Sequence, residues 1–133
     1  MWTISGLRTA LNAHEDYCVQ LIEFGHLSWA FDIAISQRKR ELRVLHQCVL
    51  DFQNQRECKL EWDDVAQLLA PNNPPFITSL EIQRICNTTV THVSSLAKAG
   101  QLKCVVKGRR GPTGTAKIST ESWLNFLKKR AVL

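Results

Sequence analysis

Between Thr89 and Lys98 the chain reads TVTHVSSLAK, and its side chains fall into two chemical kinds at helical spacing. Val93, Leu96 and Ala97 recur at three and four residues and form an inward stripe. Val90, Thr91, Ser94, Ser95 and Lys98 point elsewhere. Until Lys98 that second face is short, uncharged and rich in hydroxyls, whereas an ordinary solvated helix carries Glu and Lys there. Such a face suits the edges of bases: Val90 can meet a thymine methyl and Thr91 a polar edge. His92 lies in the first turn, where it can reach a base or a phosphate or simply pack; the residues alone leave these open.

The cations that follow supply complementary chemistry. Lys107, Arg109 and Arg110 lie within the stretch KGRRGPTGT and Lys103 and Lys117 flank it, and Gly108, Gly111, Pro112 and Gly114 rule out a helix there. Three positive charges at a loop tip suit phosphates or a narrow minor groove. Charge is divided accordingly. Residues 1–75 carry 7 Lys or Arg against 10 Asp or Glu, and residues 76–133 carry 10 against 2. The positive charge therefore sits on the same half as the hydroxyl-rich face, as phosphate neutralisation requires.

Other chemistries fit less well. His46, Cys48 and Cys58 have no second ligand pair at metal-binding spacing, so no metal is expected. The five cysteines are odd in number and scattered without a C-x-x-C pair, and free thiols are expected rather than disulfides. No thiol has a local base and third group, and Gly108, Gly111 and Gly114 lack the Gly-Lys-Ser/Thr of a phosphate loop. Asp63 and Asp64 read as helix-start carboxylates. The expectation is a chain that is not an enzyme and uses no cofactor.

The elements that must position these residues are legible around them. Thr78 with Glu81 three residues on is a capping box opening a helix in which Leu80, Ile82 and Ile85 are apolar. Asn87 stands where a left-handed residue ends it, Thr89 caps the next helix, and Gly100 stops that one. Gln101–Val106 and Thr115–Ser119 can pair as two strands. Ser119 caps a last helix with Trp123, Phe126 and Leu127 inward and Lys128, Lys129 and Arg130 at its C-terminal end.

Thr78, Glu81, Asn87, Thr89, Val93, Gly100 and Leu102, in that order and spacing, resemble the excisionase and MerR-type DNA-binding family. The resemblance covers Ile77 to Leu133. It implies a winged helix-turn-helix with a two-stranded wing, bound to double-stranded DNA through Thr89, Val90, Thr91, His92, Ser94, Ser95 and Lys98 in the major groove, with Lys103, Lys107, Arg109, Arg110 and Lys117 on the backbone. Transcriptional regulation or an excisionase-like role in a mobile element follows. A protein-interaction adaptor on the same fold is the rival reading.

The N-terminal side reads as helical. A short helix or ordered arm spans Met1–Leu11. A second helix starts at Asn12 with Glu15 and stops at Gly25. The segment from His26 to Ile35 is buried without a clear period, and the longest helical pattern, with Leu42, Leu45, Val49 and Phe52 apolar, covers Arg38–Arg56. A further helix holds Trp62, Val65, Ala66 and Leu69. No repeat is visible. The expected organisation is a mainly α chain: residues 1–70 as a helical module that dimerises or binds a partner, the Pro-rich linker 71–75, and the winged helix-turn-helix 76–133. No window approaches the roughly 18 apolar residues of a membrane span, and the N-terminus lacks signal-peptide character, so a cytosolic location is expected. A single half-site offers few base contacts, so dimerisation or cooperative neighbours are expected for useful specificity, with residues 1–70 as the candidate homodimer interface.

Overall fold

The computed structural model describes residues 1–35, 39–106 and 116–132. The described residues form seven helices and two small three-stranded antiparallel sheets, so helices dominate a mixed α/β chain. Two compact units are present. Met1–Lys59 with Arg130–Leu133 make the first, and Leu60–Lys129 the second.

In the first unit, β1 (Trp2–Thr3) leads into α1 (Ile4–Leu11) and α2 (Glu15–Glu23), followed by β2 (Ala30–Asp32), β3 (Leu42–Val44) and α3 (His46–Gln53). The strands are ordered β1-β3-β2, with Trp2 opposite Val44 and Phe31 opposite Arg43. Leu7, Cys18, Leu21, Ile22, Leu27, Val44 and Val49 are buried together beneath the sheet and helices. The tail closes over β2: the Asp32 N–H donates to the Arg130 carbonyl at 3.0 Å and the Val132 N–H to the Ala30 carbonyl at 2.8 Å.

This unit departs from the helical module expected of it. The segment Leu42–Val44 is a strand because its burial alternates, Leu42 and Val44 in and Arg43 half out, while the same residues also satisfy a helical spacing with Leu45, Val49 and Phe52. The helix therefore begins only at His46. Asn12 does not open α2; it ends α1 in a left-handed conformation, φ 49° and ψ 52°, and α2 starts after His14 with no side-chain cap. Cys48 and Cys58 are joined as a disulfide, where free thiols were expected; Cys18, Cys86 and Cys104 are free.

The second unit opens with α4 (Trp62–Leu69), where Glu61 and Asp64 form a reciprocal capping box. It continues through β4 (Phe76–Thr78), α5 (Ser79–Cys86), α6 (Val90–Lys98), β5 (Cys104–Val106), β6 (Lys117–Ser119) and α7 (Thr120–Lys129). The paired strands β5 and β6 gain a third, β4, in the order β4-β6-β5. Ile77, Ile82, Val93, Leu96, Leu102, Ile118, Trp123 and Leu127 are buried. Among the described residues no helix is long and apolar enough to cross a membrane.

From β4 onward the second unit repeats the first, although no repeat was expected from the sequence. Both run strand, helix, turn, helix, strand, strand, helix, and both sheets place the third strand between the other two. Roles match at a separation of 75 through the helical part. Thr3 and Thr78 cap α1 and α5, Asn12 and Asn87 end them left-handed, and Gly25 and Gly100 share φ +78°. Equivalent hydrogen bonds recur: the His26 N–H reaches the Leu21 carbonyl and the Gln101 N–H the Leu96 carbonyl, both at 2.9 Å. Past Leu27 and Leu102 the separation becomes 74, so Trp29 accepts from Leu45 as Lys103 accepts from Ser119, and Val49 is buried where Trp123 is. The Thr caps of α1 and α5, the left-handed turns and the burial pattern are kept, whereas the Thr89 cap of α6 has no counterpart at His14 and most core side-chain types differ.

Candidate nucleic-acid interface

The helix pair α5–α6 is fixed by three local devices. The Thr78 hydroxyl accepts from the Glu81 N–H at 3.2 Å and the Thr89 hydroxyl from the His92 N–H at 3.1 Å, each satisfying a donor that a helix start leaves orphaned. Between them Asn87 turns left-handed, φ 50° and ψ 55°, and the Thr88 N–H returns to the Gln83 carbonyl at 3.1 Å. The chain thus leaves α5 and enters α6 within three residues. Gly100 ends the arrangement at φ +78°, a conformation that an L side chain adopts only under strain.

Burial of Val93 and Leu96 decides which face of α6 points outward. Val90, Thr91, Ser94 and Lys98 are exposed, His92, Ser95 and Ala97 are half-buried, and Thr89 is exposed at the cap. Val90 is 53 % exposed, a β-branched apolar side chain held at the start of a helix with no core to enter. Together these residues make a continuous ridge that carries hydroxyls, one apolar group and one cation. It bears no carboxylate.

Two of the expected backbone-contacting cations stand at positions fixed by neighbours, Lys103 through its main chain and Lys117 through its side chain. Lys103 is exposed; its backbone N–H, not its ammonium, donates to the Ser122 hydroxyl at 3.0 Å, which fixes the chain just before β5 against α7. Lys117 is half-buried, with Nζ 4.7 Å above the Phe76 ring, so β4 orients it. Lys107, Arg109 and Arg110 lie outside the described residues. The structure thus brings Thr89, Val90, Thr91, His92, Ser94, Ser95 and Lys98 onto one helix and places Lys103 and Lys117 on the strand side of the same unit.

Sequence reasoning missed the groove beside that helix. A cleft of about 380 Å³ separates α6 from the sheet, with Ser79, Ser94, Lys98, Cys104, Ala116 and Ile118 on its walls. It depends on the pairing of Cys104 with Ile118 and on the Ser79 N–H reaching the Ala116 carbonyl at 2.9 Å, neither of which leaves a mark in the spacing of Ser79 and Cys104. Among the described residues no three His, Cys, Asp or Glu side chains gather as a metal site, and the disulfide takes the sulfurs of Cys48 and Cys58. No family model, curated protein or solved structure matches the chain.

Proposed function

We propose that the second unit is a winged helix-turn-helix that binds double-stranded DNA, with α6 in the major groove and the β5–β6 connection along the backbone. The observation that carries this reading is the outward face of α6: exposed, carboxylate-free and hydroxyl-rich, in the basic half of the chain. Val90 and Thr91 stand at the N-terminal end of the helix, the end from which recognition helices contact base edges. Ser94 and Lys98 continue the contact one and two turns on. Lys103 and Lys117, with Lys107, Arg109 and Arg110, add attraction that is independent of sequence.

The biological output proposed is regulation of transcription or an excisionase-like role. Selection of randomised duplexes by the full-length protein at near-physiological salt tests the reading. Enrichment of a defined motif supports sequence-specific binding, and an inverted repeat would mean two copies on one site. Absence of retention by folded protein overturns it.

A further inference from the structure

Helix α2 occupies in the first unit the place that α6 occupies in the second, so the two faces can be compared residue by residue. Glu15 stands for Val90, Asp16 for Thr91, Tyr17 for His92, Gln20 for Ser95, Glu23 for Lys98 and Phe24 for Ala99. A face that could lie along phosphates in α6 has become one with three carboxylates. Glu15 and Asp16 fall in the first turn, where the helix dipole favours them. Glu23 falls in the last turn, where the dipole opposes it, so helix stability does not account for it. Arg40, in the connection between β2 and β3, is turned onto Glu23 at 3.1 Å rather than outward as a free cation.

Beside the carboxylates lie two aromatics. Tyr17 and Phe24 are seven residues apart, two helical turns, and are 50 % and 74 % exposed. A large apolar ring left in water next to acidic groups matches the composition of a docking patch, an aromatic anchor with charges at its rim. Charge decides the occupant. Glu15 and Asp16 repel duplex DNA and an anionic membrane surface even with Glu23 paired to Arg40, whereas a cationic segment with an apolar residue gains on both counts.

We propose that the outward face of α2 is a protein-docking surface for a basic segment, Lys or Arg side chains meeting Asp16 and Glu23 and one apolar side chain packing on Tyr17 and Phe24. The first unit is then the same scaffold as the second with its outward helix face exchanged for another class of partner. This reading stands independently of DNA binding by the second unit.

Panning of a random peptide library on the full-length protein tests it, with binding of the enriched peptides measured by fluorescence anisotropy. The expected consensus combines Lys or Arg with an aromatic or large aliphatic residue. Glu23→Lys with Phe24→Ala should weaken those peptides by about tenfold or more. The milder pair Asp16→Asn with Glu23→Gln should weaken them less and flatten their salt dependence, and all three sites are exposed, so thermal melting should stay near that of the parent. Retention of duplex DNA should be unchanged in both variants. An absent or acidic consensus, equal binding by the variants, or loss of DNA retention in them would each overturn the proposal.

Discussion

Replacing Lys98 with Gln removes the one cation on the outward face of α6 while leaving the buried stripe of Val93 and Leu96 intact. If Lys98, Lys103, Lys107, Arg109, Arg110 and Lys117 each neutralise one phosphate, the logarithm of affinity falls with the logarithm of salt at a slope of about −5, and the variant should show a slope shallower by about 0.9. The same relation fixes how the loss depends on conditions. It should be about 15-fold at about 0.05 M monovalent salt and about 4-fold at about 0.2 M, because each released counterion gains less as the bulk concentration rises. Anisotropy of a labelled duplex across a salt series reads both quantities. Lys98 is exposed at the end of a helix, and its replacement should leave unfolding by urea within about 0.5 kcal/mol of the parent. Parallel salt plots for the two proteins would refute the reasoning, since Lys98 would then touch no phosphate.

Further outcomes follow from the fold. Reduction of Cys48–Cys58, which are ten residues apart, should lower unfolding free energy by about 2.7 kcal/mol on the chain-entropy account, measured by denaturant titration with and without reductant. Thiol titration of the unreduced protein in denaturant should count the three free cysteines Cys18, Cys86 and Cys104, and a count of five would contradict the pairing. In the native state only exposed Cys104 should alkylate quickly, because Cys18 and Cys86 are buried. Burial also holds the Cys18 thiol above its ordinary pKa of 9.0 against the opposing pull of Arg8, so its contribution to stability is full below that value and falls away as pH rises beyond it; a melting series at alkaline pH, compared with Cys18→Ser, reads this. Finally, Gly25→Ala and Gly100→Ala should each cost about 1 kcal/mol, since both glycines have φ +78° and an added Cβ meets nothing within 4 Å at either. Widely different costs would argue against the equivalence of the two units.

What could be read from the chain before its structure follows from how local each signal is. The caps at Thr78 and Thr89, the left-handed Asn87 and the stripe of α6 depend on neighbours within four residues, and their residue types leave few alternatives. The strand β3 was hidden because Leu42, Val44, Leu45, Val49 and Phe52 satisfy two periods at once, and only pairing with β1 and β2 decides between them. Asn12 has the chemistry of either helix end, and the left-handed turn after α1 assigns it to the first. The repeat escaped notice for a related reason: Leu7 and Ile82, Cys18 and Val93, and Val49 and Trp123 share burial but not identity. The partner of Cys48 is set by a loop that folds back after α3, which spacing alone does not describe.

The central claim is that the second unit reads DNA with one face of α6 while α2 does not. Backbone amide NMR of the full-length protein, titrated with a duplex recovered by selection, addresses both halves at once. The account predicts shifts concentrated from Thr89 to Lys98 and at Lys103 and Lys117, with Glu15 to Phe24 unmoved. Shifts centred on α2, or none at α6 under conditions where the duplex is bound, would contradict it.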